Sequence, residues 1–157
     1  MKKTLFLTLL ITLFTLELGL AYAGKDAPAA VTNSFKGKYP GTKVSGWDYR
    51  EDQGAYVAEF KMNDKKKYAW FSPDGAWLAT SGELKLDDLP PAIITALTTG
   101  EFKDWTFGDY REVDSPNGKY IKVKAKYGNQ EQHLKYNEAG VLIEKVNAKA
   151  GDKTLPY

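Results

Sequence analysis

The chain has 157 residues, 22 of them basic and 20 acidic, for a formal net charge of +2. That balance excludes strong steering toward nucleic acid and leaves no acidic tail. There is no cysteine and one histidine, so disulfides, thiol nucleophiles and a His/Cys zinc cage drop out of the reading.

Residues 1–23 read as a signal peptide. Lys2-Lys3 is a charged start, Leu5–Leu20 is mostly apolar, and Ala21-Tyr22-Ala23 is a small-x-small cleavage site. Glu17 inside the apolar stretch argues against a stable membrane span, because a carboxylate at mid-bilayer is costly. Cleavage after Ala23 leaves residues 24–157 with a net charge of +1, enough chain for one domain with an adequate core. No cysteine follows to carry a lipid anchor. The expected product is exported, to a bacterial periplasm or to the outside.

A first helix is predicted near Pro28–Lys38, with Val31 and Phe35 at helical spacing and Pro40 as a stop. Strand periodicity follows. Tyr56, Ala58, Phe60 and Met62 share one face, and Val57, Glu59 and Lys61 the other. Lys65-Lys66-Lys67, after Asn63-Asp64, reads as a solvated turn. Ser72-Pro73-Asp74-Gly75 has the chemistry of a type I turn and closes a hairpin of Lys67–Phe71 on Trp77–Thr80.

A second helix is predicted from about Asp88-Leu89-Pro90-Pro91, with Ile93 and Leu97 on one stripe and Gly100 as its C-cap. Asp87-Asp88 is expected to favour its start through the helix dipole. Asn117-Gly118 marks a further hairpin. Beyond it, Ile121, Val123, Ala125 and Tyr127 oppose Lys122, Lys124 and Lys126, one dry face and one wet.

The tetrapeptide Asp-Tyr-Arg-Glu occurs at Asp48–Glu51 and again at Asp109–Glu112, 61 residues apart. Later positions, such as Phe71 with Tyr136 and Gly75 with Gly140, match at 65 residues, and the difference falls in one turn, where insertions are tolerated. The expected fold is α+β: a tandem duplication of a helix plus a four-stranded antiparallel unit, forming one curved sheet with both helices on one face. The repeats span about 27–84 and 85–148 of a single domain, 24–157.

Catalytic chemistry is sparse. His133 stands among Glu131, Gln132 and Lys135 and reads as a surface histidine. Asp87-Asp88 and Asp48 with Glu51 lack the pattern of a calcium loop, and no phosphate-cradling glycine loop occurs. No cofactor, metal or catalytic residue is expected. Aromatics are abundant, with four Trp, ten Tyr and seven Phe. Phe35, Phe60 and Phe71 suit the core. If Ala69 and Phe71 face the helices, Tyr68 and Trp70 face away. Trp47 and Tyr49 share a face, which one being open.

The candidate binding residues are Trp47, Tyr49, Tyr68, Trp70, Lys122, Lys124 and Lys126, with Lys135 alongside. Aromatics are frequent anchors of protein interfaces, and lysines steer acidic partners. Lysine stems covering exposed rings on a solvated face account for the same pattern. A third reading stacks a glycan or small apolar ligand on the rings.

The chain resembles the PepSY-like periplasmic proteins of Bacteroidetes, whose fold is grouped with the β-lactamase-inhibitor protein. The matching residues are Phe35-x-x-x-Tyr39-Pro40, Trp47, Tyr56-x-Ala58-x-Phe60, Phe71-x-x-Asp74-Gly75-x-Trp77-Leu78 and Leu89-Pro90, with a weaker echo ending in Tyr136-x-x-x-Gly140-x-Leu142. The resemblance implies a non-catalytic binding fold whose open sheet face grips a protein, in a group associated with inhibition or regulation of peptidases. The chain lacks the inhibitor's disulfides and its contact residues, so inhibition of β-lactamase itself is not carried over. The partner implied is a protein of the cell envelope.

Overall fold

The structure, a computed structural model, describes residues 26–148. The signal-peptide expectation therefore lies outside the described residues. Helix α1 (Ala29–Lys38) is followed by strands β1 (Val44–Arg50), β2 (Ala55–Met62), β3 (Lys65–Phe71) and β4 (Trp77–Leu84). A 3-10 turn (Leu86–Asp88) leads to α2 (Pro91–Thr99), then to β5 (Thr106–Ser115), β6 (Gly118–Tyr127), β7 (Gln130–Tyr136) and β8 (Leu142–Asn147). The eight strands form one sheet in chain order, and every pair is antiparallel. The order of one helix then four strands thus occurs twice.

Both helices lie on one face. Val31 and Phe35 of α1 pack on Ala58, Phe60, Ala69 and Phe71 of β2 and β3. Ile93 and Leu97 of α2 pack on Ile121, Val123, Ala125, Leu134 and Tyr136 of β6 and β7. Period two in the strands and period three to four in the helices account for both contacts. Each fully buried Phe or Leu contributes roughly 1.5–3 kcal/mol over its exposed state.

Each helix is locked to its sheet by one glycine, in the same way. Gly75 (φ +91°) and Gly140 (φ +78°) end the β3–β4 and β7–β8 turns in left-handed backbone. An added Cβ would stand 2.7 Å from the Ala30 carbonyl oxygen and 2.5 Å from that of Ala92. In both turns a side chain organises the loop: Ala76 N–H donates to Ser72 Oγ at 3.1 Å, and Val141 N–H donates to Asn137 Oδ1 at 2.9 Å.

Two local expectations are corrected. Lys65, Lys66 and Lys67 are not a turn. Asn63 (φ +51°) and Asp64 (φ +60°) alone make a two-residue hairpin turn, so the strand resumes at Lys65. All three lysines are ion-paired, with Asp88, Glu59 and Glu112 respectively. Asp88 does not serve the α2 N-terminus. Its carboxylate accepts the Lys85 N–H at 3.1 Å, closing the preceding 3-10 turn, and that bond holds its pKa below the ordinary value. Gly100 caps the C-terminus of α2 as expected, in extended backbone (φ −79°), and a Cβ there would lie 2.4 Å from the Ala96 carbonyl oxygen.

Candidate functional site

With both helices on one side, alternation fixes what the opposite, open face displays, and register arranges it in rows. One row is Val57–Trp70–Ala79 across β2, β3 and β4. The next is Glu59–Tyr68–Ser81–Val113–Tyr120, from β2 to β6. Beside it, from β4 to β8, runs Glu83–Arg111–Lys122–Lys135–Glu144. Ala55, Val57, Trp70, Ala79 and Val113 form an apolar cluster on this face, with Tyr68, Leu78 and Tyr120 packed against it at the surface. This is a second core, unattended by any helix of the described residues.

The expected binding residues therefore divide. Tyr68 and Trp70 do face away from the helices, but Trp70 is only 3% exposed, and its ring supports the face from within. Tyr68 is half-buried, with its ring centroid 6.1 Å from that of Trp70, and presents the outer surface. Trp47 and Tyr49 are on the helix side and do not belong to the open face. Trp47 pairs with Ala58 and packs edge-on against Phe35 at 5.8 Å, while Tyr49 pairs with Tyr56 at 4.7 Å between rings. Tyr120, Val113, Leu78, Ala55 and Ala79 are members of this face that sequence reasoning did not name. The alternation Tyr120-x-Lys122 was the available signal for the first.

Lys122, Lys124 and Lys126 share the open face with Lys135, but not as a uniformly basic patch. Lys124 lies 3.7 Å from Asp109 and 3.8 Å from Glu131, and Lys126 lies 3.0 Å from Glu131. Lys135 pairs with Glu144 at 2.6 Å, and Arg111 with Asp109 at 3.0 Å and Glu83 at 3.5 Å. The second half thus carries an ion-pair lattice. At its centre Lys122 has a cation directly across each adjacent strand. Burial, then the Lys135 and Arg111 charges, lower its pKa to about 8.

His133 stands opposite Lys124 on this face, half-buried, with Nε2 3.6 Å from Glu131 Oε1. Desolvation, chiefly, and the Lys122 and Lys124 charges lower its pKa, so it is neutral at pH 7. Its cross-strand neighbours are Lys124 and Val146, neither a hydroxyl nor a thiol that it could activate. Among the described residues no group of three His, Cys, Asp or Glu is placed to hold a metal ion. No helix among them is long and apolar enough to cross a membrane.

The helix side carries a cleft of about 360 Å³ lined by Lys38, Lys67, Glu112, Asp114, Lys119 and Glu138 among others. Its floor contains the Lys67–Glu112 ion pair and the Tyr39–Thr80 hydroxyl pair. Lys67 lies over Gly82, where a Cβ would meet its stem at 2.7 Å. The cleft is charged and open rather than an enclosed apolar cavity.

The family model described as beta-lactamase-inhibitor-like, PepSY-like matches residues 54–144. A BLIP-like protein from Bacteroides fragilis superposes with a TM-score of 0.74 at 26% identity, over 83% of this chain and 92% of that one. A DUF2874 family protein from Bacteroides ovatus gives 0.69 at 31% identity, over 79% and 89%. A Bacteroides eggerthii protein, whose name places it provisionally in the periplasm, gives 0.65 at 25% identity, over 78% and 89%. No curated protein matches at a significant level.

Proposed function

The chain belongs to the PepSY-like family, and from that premise we propose that it is a non-catalytic exported protein whose open sheet face docks a protein of the cell envelope. The role that best fits is inhibition or regulation of a peptidase or other envelope enzyme. One observation carries the reading. The face opposite both helices holds a buried apolar cluster with Tyr68, Leu78 and Tyr120 packed against it at the surface, and an apolar floor with aromatic rings at its surface is what an interface needs and a merely solvated face does not. In this reading the signal at residues 1–23 is removed in export to the periplasm. The repeats at about 27–84 and 85–148 arose by duplication, supported by the matched glycine turns against α1 and α2.

The test uses the protein immobilised and exposed to envelope extract. A specific partner is expected to be retained by the native protein and lost by the Tyr68→Ala/Tyr120→Ala double variant, whose fold is checked by circular dichroism. Retention by the folded double variant sinks the assignment of this face. The small-ligand or glycan alternative would use the helix-side cleft, whose charged and open lining is not the enclosed apolar cavity that would favour it. A thermal-shift screen against envelope glycans decides it, since a true ligand raises the midpoint by mass action.

A further inference from the structure

The helix-side cleft lies where the two halves meet, and both halves line it. One row of the sheet crosses it: Thr80 of β4, Asp114 of β5 and Lys119 of β6, each directly opposite the next. The first half adds Lys38 and Tyr39 from the end of α1, and the second adds Glu138 from the β7–β8 turn. Taken in sheet order the charges alternate in sign: Lys38, Asp114, Lys119, Glu138. The other charged groups of the lining, Lys67 and Glu112, are paired with each other. Lys38 lies over the Trp77 ring, 3.3 Å from its centroid. Asp114 and Lys119 face each other across the strands but form no ion pair among the described residues.

Adjacent strands stand about 4.8 Å apart. An α-amino acid carries its ammonium and carboxylate on one carbon, so it can bridge two side chains that one such spacing separates. Next to Asp114, Trp77 Nε1 donates to Thr80 Oγ1 at 2.9 Å, and Thr80 in turn bonds the Tyr39 hydroxyl. Burial, chiefly, and the Asp114 charge raise the Tyr39 pKa, so the phenol stays neutral and its oxygen can accept from a cation. Ile121, two residues after Lys119 on the same face, and Met62 give the cleft an apolar stretch.

We infer that this cleft binds a free α-amino acid as its zwitterion, the ammonium on Asp114 and the Tyr39 hydroxyl, the carboxylate on Lys119, and an aliphatic side chain toward Ile121 and Met62. The alternating charges sum to zero, and a zwitterion leaves that balance intact. A lone carboxylate meets Asp114 and Glu138 as well as Lys119. A lone ammonium meets Lys38 and Lys119 as well as Asp114. An apolar ligand takes water from these groups and returns no partner. The volume, about 360 Å³, is at the small end of ligand sites and suits a ligand of this size. The site is on the opposite side of the sheet from the open face and does not depend on the docking reading.

The experiment is an NMR titration of the folded protein, near pH 6, with L-leucine, with leucine methyl ester (no carboxylate) and with N-acetyl-leucine (no ammonium), each to about 50 mM. Leucine is expected to bind at least about tenfold more tightly than either blocked form, since each lacks one charge-assisted contact, and to shift the signals of Thr80, Asp114 and Lys119. Lys119→Gln should bring leucine to the affinity of the methyl ester, and Asp114→Asn to that of acetyl-leucine. Lys119 is exposed, so its variant carries the test if Asp114→Asn folds poorly. Tyr68→Ala, on the other face, should leave leucine binding unchanged. Equal affinities for the three ligands overturn the two-charge seat. No shift at Thr80, Asp114 or Lys119 with leucine overturns the site and leaves the open-face reading standing.

Discussion

The halves of the molecule agree on one side of the sheet and disagree on the other. Toward the helices each half uses the same order of elements, the same left-handed glycine pressed on a helix carbonyl, and an inward ring (Tyr49 or Tyr110) between an Asp and an Arg that pair at 3.0 Å. On the open face the row Val57–Trp70–Ala79 of the first half stands 65 residues before the row Lys122–Lys135–Glu144 of the second, position for position. One is a buried apolar strip and the other a charged one. The helix side meets the demands of folding. The open side carries what distinguishes the halves, and that difference is where specificity resides in the proposed function.

The contrast can be tested from its strongest element downward. The helix-side cores are centred on different side chains, one on Phe35, which touches the rings of Tyr39, Trp47, Phe60 and Phe71, the other on Ile93, in a cluster that mixes aliphatics with Phe102 and Tyr136. Phe35→Ala should cost about 3–5 kcal/mol and Ile93→Ala about 2–4 kcal/mol in urea unfolding. Equal costs would deny the aromatic core any energetic distinction. Gly75→Ala and Gly140→Ala should each lose about 2–3 kcal/mol, through left-handed backbone and a collision with a helix carbonyl. If either is tolerated, the two glycine locks are not equivalent.

Lys122→Met, which makes the charged row resemble the apolar one, should stabilise the protein at pH 7. The lysine's folded pKa of about 8 lies below its ordinary 10.5, so the unfolded chain holds the proton more tightly. The penalty is full below pH 8 and fades as pH rises toward 10.5. After allowance for solvent screening, native protein should gain about 1–2 kcal/mol on the variant between pH 7 and pH 10. A flat difference across that range shows that the row stores no electrostatic cost. The smallest effect belongs to Ser81, 1% exposed, whose hydroxyl has no hydrogen-bond partner among the described residues. Ser81→Ala should raise stability by about 1 kcal/mol, measured by the same unfolding midpoint.

Both helices, the alternating faces of β2 and β6, and the Gly75 and Asn117-Gly118 turns were legible in the sequence, because each depends on spacing within a few residues. Trp47 was not, because β1 is an edge strand and only its pairing with Ala58 across a hairpin assigns its side. Trp70 shows a different limit. Period two gives the face but not the depth, and the depth comes from Val57, Ala79 and Val113 on three other strands. The cation row was hidden for the same reason, since Arg111, Lys122 and Lys135 become neighbours only through register. The lysine run misled because two left-handed residues, Asn63 and Asp64, complete a turn that the charges seemed to extend.

A sheet whose strands lie in chain order also sets a timetable. Six of its seven pairings close short turns, which are fast and cheap in chain entropy. The seventh, β4 on β5, must wait for residues 85–105 to be gathered, α2 among them. That pairing also brings Lys67 to Glu112 and seats Val113, already opposite Tyr120 in the β5–β6 hairpin, beside Ser81. Joining the two rings of the open face is therefore the late event of folding, and a slow kinetic phase sensitive to Val113→Ala is its expected signature.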